Sequence, residues 1–130
     1  MRQLLSMVFA KIAAGLYVVW GLLHIQAAYD AFLLGISVNQ GIIQGKIFQD
    51  AWNLLFFALF SIVVASIFNW KNSRLGYWLN LVVVSVADIG FIIFVLIPGN
   101  VAFLTGILGP VFWVSAAIFS SIAIKKEPNS

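Results

Sequence analysis

Four apolar stretches, at residues 12–35, 51–69, 77–97 and 101–124, take up most of this chain. Each is close to the length of about 20 residues that a helix needs to cross the hydrocarbon of a bilayer. A backbone in lipid has no water to bond, so such stretches are viable only as helices or as strands of a closed barrel. The apolar residues run on without the alternation that a barrel strand requires, which selects helices. Short connections make successive helices antiparallel neighbours. The expected fold is therefore an all-α integral membrane protein, a four-transmembrane-helix up-down bundle that uses residues 1–130 as one domain.

Composition narrows the function. Of 130 residues 63% are hydrophobic and only 8% charged, against roughly a quarter charged in soluble domains. No length is left over for a soluble domain beside the spans. There is no cysteine, which excludes disulfides, thiolate metal sites and redox dithiols. The net charge is +3, but no run of like charge exceeds Lys125 and Lys126, so nucleic acid is excluded as a partner. Arg2, Lys11 and the apolar run after them have the outline of a secretory signal. No small-x-small cleavage site follows where the run gives way to "HIQAAYDAF", and a retained first span is expected.

The polar interruptions place the connections. "SVNQGIIQGK", residues 37–46, reads as a loop outside the hydrocarbon, "NWKNSRLG" closes the second span, and "KKEPNS" is a polar tail. In "PGN", residues 98–100, proline stops a helix and glycine tolerates the reversal. With both termini inside, Arg2, Lys11, Lys71, Arg74, Lys125 and Lys126 lie on the cytoplasmic side, six of the seven basic residues, and only Lys46 lies outside. That bias predicts an N-in/C-in protein of a plasma (inner) membrane. Trp70, Tyr77 and Trp78 suit an inner aromatic belt and Trp52 an outer one.

One acid breaks the pattern: Asp88, in "VVVSVADIGFIIF". At about 1.5 Å per residue, His24 and Asp88 both fall roughly 17 Å from the inner boundary, and Pro110 of the fourth span falls about 13 Å from the outer one. Three unusual residues from three spans thus share a layer. An ionised aspartate facing lipid there would cost about 3 kcal/mol, so Asp88 is expected to face the bundle interior or be protonated. His24 is the ionisable partner at its level. Ser85 lies one turn away on the same face, with Asn80 further inward. On the first span Tyr17, Trp20, Gly21, His24 and Ala28 form a stripe at helical spacing suited to lining a pocket. Pro110 cannot donate to the carbonyl of Gly106, and "GILGP" predicts a kink or local unwinding, with Trp113 directed to the same region.

Familiar catalytic signatures are absent: no phosphate-cradling glycine loop, no HExxH and no hydrolase triad spacing. One histidine without cysteine closes no usual metal or haem site, and no cofactor is expected. The four-span size with an intramembrane acid resembles the small multidrug exporters in format alone; their essential carboxylate lies in the first span and this one in the third.

The expected function is an intramembrane polar pocket formed by His24, Asp88, Trp20, Tyr17, Ser85, Trp113 and Pro110. It binds or transports a small lipophilic or cationic ligand, with Asp88 exchanging a proton and His24 tuning it. The expected partners are the lipid bilayer, that ligand, and a second copy or a larger membrane protein. Two other classes fit the residues: a non-enzymatic accessory subunit whose polar residues fasten helices, and a membrane-embedded enzyme using His24 and Asp88 as acid and base.

Overall fold

The structure, a computed structural model, describes residues 1–126; the end of the polar tail, residues 127–130, lies outside the described residues. Helix α1 is Arg2–Ser37, α2 Ile42–Ile67, α3 Arg74–Phe91, α4 Phe103–Gly106 and α5 Leu108–Lys126. The described chain is all-helical, and it contains four helices long and apolar enough to cross a membrane. Helix α1 packs along α2 and α5, and α3 packs along the same two, which sets α1 and α3 across the diagonal of a four-helix bundle.

Several boundaries differ from the sequence expectation. Helix α1 starts at Arg2, well before residue 12, because nothing in "RQLLSMVFAK" breaks a helix. The predicted loop 37–46 is a correction: only residues 38–41 lie outside helices, and "IIQGK" opens α2. Gln44 explains the shift. Its Nε2 donates to the carbonyls of Gly35 at 2.9 Å and Val38 at 3.1 Å, satisfying backbone acceptors left bare where α1 ends. The ring of Phe48 fills the space beside Gly35.

Close approach between helices depends on small residues. A Cβ on Gly21 would lie 2.8 Å from the Ala58 carbonyl oxygen and 2.5 Å from Ile62. Ala10, Ala13 and Ala14 on α1 and Ala58 and Ala65 on α2 are buried with it. The core fits around Tyr17, Trp20, Val84 and Ala116, which these small neighbours leave room for. The outer surface is the reverse of a soluble protein's: Leu104 is 81% exposed and Phe94 73%.

Helix α3 buries a single ridge, Gly76, Asn80, Val84 and Asp88, four residues apart. At the end of the molecule that holds Arg2 and Lys126, a 3₁₀ turn, Asn69–Lys71, and Asn72 in the left-handed conformation (φ 56°) join α2 to α3. Asn72 Nδ2 donates to Ser6 Oγ at 2.9 Å and to the Ala123 carbonyl at 3.3 Å. Asn80 Nδ2 donates to Asn69 Oδ1 at 2.8 Å and to the Ser61 carbonyl at 3.2 Å. Lys11 sits 5.3 Å above the ring of Trp70 at the same end.

At the opposite end the helices are irregular. Helix α3 continues as a π turn, Ile92–Leu96, in which Ile97 N–H bonds the Ile92 carbonyl. A reversal at Pro98–Asn100 follows, with Gly99 at φ 76°. The fourth long segment is not one helix but α4 and α5, parted at Ile107. This is the break expected from "GILGP", where Pro110 offers no N–H to Gly106. The π turn had no signature in the sequence.

Candidate functional site

Asp88 is completely buried and faces the bundle interior, across the diagonal from α1. Helical spacing brings two α1 side chains to it, Trp20 and His24, one turn apart. Trp20 Nε1 donates to Asp88 Oδ2 at 2.9 Å. His24 Nε2 stands 3.5 Å from the other oxygen, Oδ1. The imidazole lies flat on the indole, ring centres 3.8 Å apart at 22°.

The second nitrogen of His24 fixes its tautomer. Nδ1 is 2.8 Å from the Trp20 carbonyl oxygen, and a carbonyl only accepts, so Nδ1 carries the hydrogen. In the neutral imidazole Nε2 therefore presents a lone pair. Oδ1 has no hydrogen-bond partner. With the imidazole neutral and the carboxylate ionised these are two acceptors, 3.5 Å apart, longer than the usual 2.7–2.9 Å of a charge-assisted bond. In that state the pair lacks a proton between its facing atoms. With it, the two groups are jointly neutral; without it, a full negative charge sits in the interior, which costs several kcal/mol.

No other group offsets that charge. Within residues 12–29, 51–67, 75–96 and 103–124 the only titratable side chains are His24, Asp88 and the tyrosines Tyr17, Tyr29 and Tyr77. Among the described residues no three His, Cys, Asp or Glu side chains gather in one place.

Helix α5 closes the layer through Gly109. A Cβ there would lie 3.1 Å from His24 Cε1, 3.7 Å from Nε2 and 3.8 Å from Asp88 Oδ1. The fourth segment meets the pair at the residue before Pro110, with Pro110 itself buried behind it. Asp88 and Trp20 are completely buried, whereas the His24 side chain is 12% exposed and Gly109 is partly exposed.

Of the residues expected to line a site, His24, Asp88 and Trp20 are brought together. Ser85 and Trp113 pair with each other instead: Trp113 Nε1 donates to Ser85 Oγ at 2.8 Å, one turn from Asp88. Tyr17 is buried in the core a turn from Trp20, and its hydroxyl, beside Ser120, has no hydrogen-bond partner. Asn80 joins the 3₁₀ turn and leaves Asp88 alone. Sequence reasoning assigned Trp20 only to the pocket wall and passed over Gly109. The indole could have been found: a buried Nε1–H demands an acceptor, and Asp88 is the one carboxylate at its depth.

No protein-family model, curated protein or solved structure matches this chain. The reading of the site rests on its own geometry.

Proposed function

We propose that the chain is an integral membrane protein of a plasma (inner) membrane, with four spans and cytoplasmic termini. In this reading its His24–Asp88 pair binds a small lipophilic or cationic ligand in exchange for a proton. Membrane insertion is supported by four long apolar helices and by the large apolar side chains they expose. Orientation is supported by the six basic residues, Arg2, Lys11, Lys71, Arg74, Lys125 and Lys126, at one end of the bundle. Helix α1 has 36 residues, about 54 Å of helix against about 30 Å of hydrocarbon. The segment holding Arg2 and Lys11 thus reaches the inner headgroups.

The observation that carries the ligand reading is the unpartnered Oδ1 of a wholly buried carboxylate, 3.5 Å from an imidazole lone pair. Such a pair neutralises itself with a proton or with a cation. The two compete, which is the elementary requirement for exchange. The test is calorimetry on protein in lipid nanodiscs, titrated with organic cations from methylammonium to tetraphenylphosphonium at low and high pH. Binding should strengthen as pH rises, release one proton per cation at the low pH where the pair is protonated and none where it is already deprotonated, and vanish in Asp88→Asn. A panel in which no member releases a proton, or in which Asp88→Asn binds unchanged, sinks the proposal.

A second reading, an accessory subunit without a ligand, is favoured by one observation. The Trp20–Asp88 bond ties α1 to α3 across the diagonal and fastens helices whether or not a ligand binds. Recovery from native membranes with a stoichiometric larger protein, together with a silent cation panel, selects it.

A further inference from the structure

We infer that the ligand of the His24–Asp88 pair is a small cation carrying at least two N–H hydrogens, an ammonium ion or the head of a primary or secondary amine, and that Gly109 keeps its place open. The inference rests on the proposed function and names the substrate class of that site.

Nδ1 of His24 is committed to the Trp20 carbonyl and Oδ2 of Asp88 to the Trp20 indole. The remaining atoms, Nε2 and Oδ1, stand 3.5 Å apart, and both are acceptors once the pair has given up its proton. One heavy atom with two hydrogens can sit about 2.8 Å from each, donating to both at once. An alkylammonium head does this and supplies the missing positive charge. A quaternary ammonium has no hydrogen to donate, and its methyl shell holds the charge away from Oδ1.

Helix α5 brings no side chain against these two atoms, because the residue it presents to them is Gly109. The point where a side chain of Gly109 would begin is nearly equidistant from the two acceptors, 3.7 Å from Nε2 and 3.8 Å from Oδ1. A methyl group there meets the same two atoms that the ligand must reach. The imidazole cannot swing aside freely, being stacked on Trp20 and bonded to its carbonyl.

His24 is the only histidine, so its Cε1–H resonance reports on the site alone. Protein in nanodiscs is titrated at fixed pH with ammonium, methylammonium and tetramethylammonium chlorides. Ammonium and methylammonium should shift that resonance and bind about tenfold or more tightly than tetramethylammonium, the margin expected for one charge-assisted hydrogen bond. Gly109→Ala should weaken methylammonium by a similar factor while the Trp20 indole N–H resonance stays in place. Gly90→Ala, at a position with open space around it, should change nothing. If Gly109→Ala fails to fold, the order of the three cations in the unaltered protein decides. Equal binding of methylammonium and tetramethylammonium overturns the inference. Proton-releasing, Asp88-dependent binding confined to tetraphenylphosphonium overturns it too, yet leaves the proposed function standing, whereas absence of proton release with every cation removes both.

Discussion

The bundle holds two buried polar layers, and they are built on opposite principles. The layer near the termini joins Ser6, Asn69, Asn72, Asn80 and the Ser61 carbonyl through amide and hydroxyl hydrogen bonds between neutral groups. Its one loose end on α3, Asn80 Oδ1, is uncharged. The layer around Asp88 has a carboxylate, an imidazole and an indole, and its loose end is a carboxylate oxygen facing a lone pair. The first arrangement has no reason to change state. The second changes state whenever a proton or a cation arrives. Interior polar groups therefore divide by whether their unmet demand carries charge, and the difference separates helix fastening from a site.

That contrast is tested most severely at the neutral layer. In Gly76→Val the new Cβ would begin 2.5 Å from Phe68 Cβ and 2.9 Å from the Asn69 backbone nitrogen, where no flexible tip is available to yield. Equilibrium unfolding in mixed detergent micelles should show a loss of about 3 kcal/mol. Retention of full stability would mean that α3 is not clamped at this end. Next, Asn80→Ala strips the donor from Asn69 Oδ1 and the Ser61 carbonyl. The expected loss is about 2 kcal/mol by the same measurement, with cation binding unaltered.

The charged layer should respond more mildly in stability and more strongly in binding. Trp20→Phe keeps a ring to stack on His24 but removes the donor to Oδ2, and about 1 kcal/mol should be lost, in line with hydrogen bonds between membrane helices. The smallest effect belongs to Asp88→Asn. The new amide can accept from Trp20 and donate to Nε2 of His24, supplying the missing hydrogen without a charge. Stability should stay within about 1 kcal/mol of the parent, while proton release and cation binding disappear. A loss as large as that of Asn80→Ala would show that Asp88 acts as another fastener and would erase the distinction between the layers.

How far the sequence reached can be followed residue by residue. The burial of Asp88 and its meeting with His24 were legible, because a charge in lipid is expensive and helical rise places the two at one depth. The break before Pro110 was legible because proline's missing N–H is a local property. Ser85 and Trp113 were assigned to the right neighbourhood but not to each other, since spacing gives a face and a level but not which donor reaches which acceptor. The loop at 37–46 was misjudged because glycine and glutamine look like turn residues until Gln44 is seen bonding the end of α1.

By itself, then, the sequence determined that this chain forms four long apolar helices and that one acid and one imidazole lie in the same slice of them. These follow from hydrophobicity, length and rise per residue, which are properties of each segment alone. Only the tertiary structure decided that the indole of Trp20 takes one carboxylate oxygen, that the other is left facing a lone pair, and that Gly109 stands over the gap. Those depend on how helices rotate about their axes against one another, and that rotation is set by packing of the whole interior at once.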